Sequence, residues 1–224
     1  MVEKRASIAA GLGIALGTVE MIRIYHAKGT RSVRNIWLCE ELGLPYEAAA
    51  IDFSPAYRQS PEWRAKHPQG KVPVMTDGEV TIFESCAINQ YLLDRYGEGR
   101  LQPPPGTAEA ARYQQWCWFA ESSFARPLGD WVHHERLRPP EQRIPGVVAD
   151  ARLRAEPCLA ATDRHLTDNA YLLGDEFTNA DIIMAWTLMV AKLLGLLTEA
   201  SAPAAWRYLA DLESRSGYQV AMAA

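Results

Sequence analysis

A proline at position 73 interrupts a segment that otherwise has the composition of a β-strand. The letters VPVM cover residues 72–75, and the apolar residues around the proline are typical of a strand entering a core. Proline has no amide hydrogen to donate to a β-ladder, so it is normally excluded from such runs. Two polar residues, Glu84 and Ser85, follow soon after. A proline at this position therefore indicates a specific role, which the neighbouring residues help to identify.

The segments on either side of the proline predict a mixed α/β unit. Residues 21–27, MIRIYHA, and residues 46–52, YEAAAID, are typical of strands, and helical spacing of apolar residues over 32–42 lies between them. Such a βαβ unit predicts two parallel strands. Residues 54–67 predict a loose helix or loop. Asp77-Gly78 then predicts a tight hairpin, and Ser85 is expected to cap a helix that runs to about residue 96.

A stiff linker is predicted to separate this unit from a helical remainder. The predicted boundaries are 21–98 for the first domain, 99–107 for the linker with its three consecutive prolines, and 108–224 for an all-helical domain. Thr178 and Asp181 have the spacing of a capping box, which predicts a helix start. Residues 1–20 have a basic start and a weak, glycine-rich apolar stretch, and we expect them to form an extension outside the fold.

Charge and cysteine spacing exclude several classes of function. The net charge of −4 and a pI near 5.8 argue against a nucleic-acid partner, and no basic run is present. The longest apolar segment, 182–197, contains Lys192 and Gly195, so it predicts a buried helix and no membrane association. The four cysteines lack the spacing of a metal site, so no metal is expected, and free thiols fit a reducing compartment.

Four stretches together are similar to one protein family. They are RSVRNIWLCEELGLPYE (31–47), HPQGKVPVMTDG (67–78), FESCAINQYL (83–92) and GDEFTNADI (174–182). In this order, from Met21 onwards, the chain resembles cytosolic, bacterial-like glutathione transferases. The resemblance implies an α/β thioredoxin-like N-terminal domain followed by an all-α C-terminal domain. It also implies glutathione as the co-substrate, a cytoplasmic detoxifying enzyme and a homodimer.

The resemblance also explains the proline. In thioredoxin-like folds the equivalent of Pro73 is cis, which leaves the backbone of Val72 free to pair with the cysteinyl part of glutathione. Glu84 is then expected to bind the γ-glutamyl ammonium, and Ser85 the neighbouring carboxylate at a helix N-terminus. At the other end of the tripeptide, Lys71 is expected to reach the glycine carboxylate. Gln69 is expected to help as an amide donor.

The residue that activates the thiol is expected in the loop after the first strand. Hydroxyl-type members of the family carry Ser or Thr four residues before a basic residue, and counting back from Arg34 gives Thr30. Ser32 is the other hydroxyl and is expected mainly to cap the helix. Tyr25 lies within the strand. Arg31 occupies the place where another branch has cysteine, so the chemistry of that branch is not supported.

The second substrate and the exact activity stay open at this point. Trp116 and Phe119 are candidates to line a pocket for a small apolar electrophile, or they belong to the core. The leading hypothesis is a glutathione transferase that conjugates such electrophiles. The alternatives are a glutathione-dependent peroxidase or isomerase, and a non-catalytic ligand-binding or interaction module of the same fold.

Overall fold

A four-stranded mixed sheet with flanking helices forms the N-terminal part of the protein. The computed structural model describes residues 21–224, and the extension expected over residues 1–20 lies outside them. The strand order is β2-β1-β3-β4, with β1 and β2 parallel and the other two pairs antiparallel. The predicted βαβ unit and the hairpin after it are confirmed. The elements are β1 (Ile22–His26), α1 (Val33–Leu42), β2 (Tyr46–Ala50), α2 (Pro55–Gln59), α3 (Pro61–Lys66), β3 (Val74–Asp77), β4 (Val80–Phe83) and α4 (Ser85–Tyr96).

The C-terminal part is helical. Its helices are α5 (Ala108–Trp118), α6 (Ala125–Val132), α7 (Pro145–Thr167), α8 (Asn179–Leu193), α9 (Pro203–Glu213) and α10 (Ser216–Ala223). Two π-helical turns, Phe119–Phe124 and His133–Leu137, flank α6. The protein therefore has a thioredoxin-like N-terminal domain and an all-α C-terminal domain, as predicted.

Helix α8 forms the centre of the helical domain. It begins with the predicted capping box, in which the fully buried Asp181 carboxylate accepts the Thr178 amide hydrogen at 2.7 Å. The same carboxylate accepts from the Leu172 amide at 2.9 Å and the Tyr208 hydroxyl at 2.7 Å. Most of α8 is buried, as its apolar sequence predicted. Across residues 21–224, every helix is too short or too polar to cross a membrane.

Helix α1 is held from both domains. The ring centroid of Trp37 lies 5.9 Å from that of Phe177 and 5.2 Å from that of Tyr218, both in the helical domain. Gly217 of α10 lies so close that a Cβ atom there would sit 2.7 Å from Trp37 Cδ1. The larger of two hydrophobic core clusters extends through both domains, and the smaller one consists of Ala27, Trp63, Val72 and Val74. The N-terminus of α1 is therefore fixed relative to the helical domain, and the residues just before it belong to the site described next.

Candidate functional site

A cleft of about 220 Å³ brings together most of the residues predicted to bind a ligand. The predicted residues in its lining are Lys71, Val72, Pro73, Glu84 and Ser85. The helical domain and the first loop contribute charged residues for which no ligand-binding role was predicted. The complete lining is Arg31, His67, Lys71, Val72, Pro73, Glu84, Ser85, Glu121 and Arg126.

The backbone beside the proline is available to a ligand. The Val72–Pro73 bond is cis, as predicted. Strand β3 begins only at Val74, which pairs with Tyr25 on one side and Phe83 on the other. Within residues 21–224, neither the amide nor the carbonyl of Val72 forms a hydrogen bond. An extended peptide can therefore add to the sheet at this point.

Glu84 and Ser85 lie at the junction of β4 and α4. Glu84 is the residue before the helix, and its backbone has φ 74°. Residues other than glycine rarely adopt a positive φ. Ser85 is the first residue of the helix, so the prediction that it caps α4 is wrong. Its side chain is instead buried at the cleft. The first amide groups of α4 have no carbonyl partner within the helix, which favours an anion there.

A buried arginine fixes the Ser85 hydroxyl. Arg34 in the first turn of α1 is fully buried, and its Nη1 donates to Ser85 Oγ at 3.1 Å and to Glu121 Oε2 at 2.5 Å. Its Nη2 donates to the Ile183 carbonyl at 3.0 Å and to Thr187 Oγ1 at 3.1 Å. Because a guanidinium only donates, the Ser85 oxygen is the acceptor. The hydrogen of the Ser85 hydroxyl is therefore left to donate to a ligand.

Arg31 forms a rigid cationic part of the cleft wall. Its Nε lies 3.0 Å from Glu121 Oε1, so Glu121 bridges Arg31 and Arg34. Both guanidinium groups lie over the Trp186 ring, 4.4 and 4.9 Å from its centroid. Stacking and ion pairing together restrict Arg31 to one orientation.

The two hydroxyls of the first loop contact each other. The Thr30 hydroxyl donates to the Ala27 carbonyl at 2.7 Å and lies 2.8 Å from Ser32 Oγ. Neither hydroxyl is part of the cleft lining, although Arg31 between them is. Ser32 is at the N-cap position of α1 with φ −61° and ψ −23°, and its side chain caps nothing. The predicted capping role of Ser32 is therefore wrong, because this helical backbone directs the hydroxyl to Thr30 and Ala27.

His67 lines the cleft, although no role was predicted for it. Its ring is almost fully buried, stacks on Phe83 at 4.8 Å and accepts the Gln69 amide hydrogen on Nδ1 at 3.1 Å. Burial lowers the pKa of His67, so the ring is neutral at neutral pH, with its proton on Nε2. Gln69 thus supports His67 through its backbone, while its side chain is exposed and lies outside the lining.

The cysteines do not provide an activated nucleophile. Burial raises the pKa of the Cys39 thiol to about 12, and burial also raises those of Cys86, Cys117 and Cys158. Cys86 follows Ser85 directly, but the effect of burial outweighs that of the nearby arginines. Among residues 21–224, no cluster of three or more His, Cys, Asp or Glu side chains is arranged to hold a metal ion.

The two aromatic residues predicted for a second-substrate pocket lie elsewhere. Trp116 contacts Phe119 edge-to-face at 5.5 Å and His165 at 4.5 Å, and both aromatics pack against the hydrophobic core. Neither lines the cleft. The core alternative is therefore favoured for both. Trp118 between them is 62% exposed and lines a neighbouring apolar groove of about 410 Å³, which shares Glu84 and Glu121 with the cleft.

Comparisons with known proteins show similarity to glutathione S-transferases. Residues 20–94 match the family model "Glutathione S-transferase, N-terminal domain". Glutathione S-transferase 3 of Schizosaccharomyces pombe is 30% identical over 77% of this chain and 75% of that protein. Glutathione S-transferase 3 of Zea mays is 32% identical over 76% of this chain and 75% of that protein. Two solved structures from Phanerochaete chrysosporium are described with oxidized glutathione. Glutathione transferase URE2P8 has TM-score 0.81 and 25% identity, covering 90% of this chain and 93% of that one. URE2P6 has TM-score 0.80 and 27% identity, covering 90% and 94%.

Proposed function

The chain belongs to the cytosolic glutathione transferase family, and on this basis we propose that it binds glutathione in the cleft and transfers the thiolate to an electrophilic carbon of a small substrate. The observation that carries the proposal is the free backbone of Val72 next to Glu84 and Ser85 in one cleft. The relatives described with oxidized glutathione support the choice of ligand. A detoxifying role in the cytoplasm belongs to the same proposal.

Each part of glutathione has a partner in this proposal. The cysteinyl backbone pairs with the amide and carbonyl of Val72. The γ-glutamyl ammonium binds Glu84, and the γ-glutamyl carboxylate accepts from the Ser85 hydroxyl and the first amides of α4. The glycine carboxylate binds Lys71, whose exposed side chain lines the same cleft. The side-chain amide of Gln69 is a further donor for this carboxylate.

The thiol is then placed to be activated by the first loop. A free cysteine thiol has a pKa of about 8.5, so little thiolate exists at neutral pH. In the proposed mechanism the Thr30 hydroxyl donates to the sulfur and lowers this pKa, and the released proton passes to solvent. The thiolate attacks the electrophilic carbon, a C–S bond forms, and the leaving group departs with its electron pair.

Two measurements test the proposal in sequence. Thermal unfolding with and without glutathione shows whether the ligand stabilises the fold. Turnover is then measured against a panel of electrophiles and peroxides. Stabilisation with turnover of peroxides alone would favour the peroxidase alternative, and stabilisation without any turnover would favour the non-catalytic module. Absence of stabilisation at millimolar glutathione would contradict the proposal.

Ser85→Ala is expected to weaken glutathione binding by about 1–3 kcal/mol, because a charged ligand group loses a buried donor. Ser216→Ala is the matched control, since Ser216 is likewise the first residue of a helix but is exposed and outside the cleft. Isothermal calorimetry measures both affinities. Equal affinity for the Ser85 variant and the native chain would rule out the placement of the γ-glutamyl carboxylate.

Glu84→Gly is expected to change stability and binding in opposite directions. Relief of the backbone at φ 74° should raise the free energy of unfolding by up to about 1 kcal/mol, while the loss of the carboxylate should weaken glutathione binding. Glu98→Gly is the control, because Glu98 also has a positive φ, 51°, but lies outside the cleft. Urea unfolding and calorimetry measure the two effects. Unchanged glutathione affinity in the Glu84 variant would exclude Glu84 as the ammonium partner.

The homodimer is also part of the proposal. Trp118 and Phe83 are 62% and 39% exposed, and Trp118 lies at the apolar groove between α4 and α5. An exposed apolar surface of this kind is typical of an interface between subunits. Trp118→Ser is expected to raise the dimer dissociation constant about thirty-fold, as for a central interface tryptophan. Light scattering at micromolar concentration measures this, and a monomeric native chain would contradict the dimer.

A further inference from the structure

Three charged residues of the cleft have no role in holding glutathione. They are Arg31, Glu121 and Arg126, which we call the arginine wall. Of the described residues that line the cleft, only Val72 and Pro73 have aliphatic side chains. Within the cleft itself, a purely apolar second substrate would therefore meet little apolar surface, because the nearby apolar surface belongs to the groove that Trp118 lines.

The arginine wall has an excess of positive charge. Both oxygens of Glu121 are occupied, Oε1 by Arg31 at 3.0 Å and Oε2 by the buried Arg34 at 2.5 Å. One carboxylate thus serves two guanidinium groups, which leaves a net positive charge on this group of three. Arg31 carries that charge to the cleft, since Arg34 is fully buried.

Arg126 adds a second cation that is only weakly paired. Its side chain is 72% exposed, and its Nη2 lies 3.4 Å from Asp130 Oδ1, one turn further along α6. The other oxygen of Asp130 lies 3.3 Å from Arg154 Nη2, so this carboxylate is also shared between two arginines. Exposed pairs of this kind contribute little energy, so Arg126 can exchange Asp130 for another anion.

We propose that Arg126, beside Arg31, binds a carboxylate carried by the second substrate, so that the enzyme acts on anionic electrophiles. This inference rests on the proposed glutathione site, in which Lys71, Ser85 and the start of α4 already serve the two carboxylates of glutathione. A guanidinium presents two parallel N–H groups that match a carboxylate, and Arg126 is able to turn toward it from the rim of the cleft.

The chemistry of such a substrate is ordinary conjugation. With an aryl halide that bears a carboxylate, the thiolate attacks the carbon that carries the halogen, the C–S bond forms, and halide leaves with the electron pair. The carboxylate is unchanged and serves only to orient the ring. The same carboxylate chemistry is present in the second half of glutathione disulfide, so the experiment has to distinguish these two sources.

The test compares a chloronitrobenzoate with the corresponding chloronitrobenzamide, each corrected for its uncatalysed rate with glutathione. The native enzyme is expected to prefer the acid. Arg126→Gln is expected to lower the acid-to-amide ratio of kcat/KM by about five- to ten-fold, the effect of losing a partly exposed charged hydrogen bond. Arg154→Gln is the matched control, because Arg154 shares Asp130 but does not line the cleft, and it should keep the native ratio.

Calorimetry completes the experiment and does not depend on turnover. Affinities of the two glutathione conjugates, acid and amide, should show the same preference and the same loss in Arg126→Gln. A larger loss of affinity for glutathione disulfide than for glutathione would support the subsite and assign the carboxylate to the second glutathionyl group. An unchanged ratio for both pairs would overturn the inference. If Arg126→Gln weakens binding of glutathione itself and leaves the ratios unchanged, Arg126 belongs to the glutathione site, and the inference fails while the proposed function stands.

Discussion

Arg34→Met is expected to lower the free energy of unfolding by about 3–4 kcal/mol, because it removes a fully buried charge with hydrogen bonds to four groups. Methionine fills much of the space of the side chain but leaves the Ile183 carbonyl and Ser85 Oγ without this donor. In this variant Glu121 keeps its ion pair with Arg31, and its side chain is 23% exposed. Losing Arg34 as a partner therefore destabilises Glu121 less than it would destabilise a fully buried carboxylate. Urea unfolding measures the change.

Arg112→Met is the matched control for this experiment. Arg112 is a helical arginine whose ion pair with Glu109 is exposed, at 68% and 61%, and such a pair contributes little to stability. Native-like unfolding of the Arg34 variant would show that the contacts of the buried Arg34 do not stabilise the association of the two domains. Glutathione affinity, measured under conditions where the variant is folded, should also fall, because Ser85 loses the contact that orients its hydroxyl.

Thr30→Val is expected to slow conjugation at neutral pH by about ten- to a hundred-fold, because the thiolate loses a charged hydrogen bond. Valine keeps the size and the branching of the side chain. Glutathione affinity should remain near the native value, since Val72, Glu84 and Ser85 hold the rest of the tripeptide. Without the donor, the pKa of the bound thiol rises, so less thiolate is present at pH 7 and the rate falls. Thiolate absorbance of bound glutathione, titrated against pH, measures the shift.

Ser32→Ala is expected to change the same titration in the same direction but by less. Ser32 Oγ lies 2.8 Å from Thr30 Oγ1, so Ser32 can donate to Thr30 when the Thr30 hydroxyl turns from Ala27 to the sulfur. Thr81→Val on the exposed side of β4 is the control for the substitution itself. A shift in the Ser32 variant alone would make Ser32 the activating hydroxyl. If neither variant shifts the titration, the donor is a backbone amide of the loop or the thiol is not activated.

Features that depend on a few neighbouring residues were predicted from the sequence. The Asp77-Gly78 hairpin, the end of α4 near residue 96 and the Thr178–Asp181 capping box all depend on local spacing, and the structure confirms them. The cis bond before Pro73 came from the family resemblance and is also confirmed. The family resemblance also indicated five residues that line the cleft.

Features that depend on distant residues were not predicted. Arg34 and Glu121 are separated by 87 positions, and no local pattern joins them, although each is a lone charge within an apolar helical stretch. The π-helical turn at Phe119–Phe124 changes which side of the chain faces the core, and a search for the ordinary helical period does not detect it. Trp116 and Phe119, predicted either to line a pocket or to belong to the core, pack against the core.

The backbone of Glu84 has a consequence for directed evolution of this chain. A library that varies position 84 and is screened only for heat resistance should enrich glycine, since a residue without a Cβ atom tolerates φ 74° with ψ 112° best. Under the proposed function, the selected variants would lack the carboxylate that binds the ammonium group of glutathione. Screening for thermostability alone would therefore select variants with weaker affinity for glutathione. An additional screen for binding to immobilised glutathione would retain glutamate at this position.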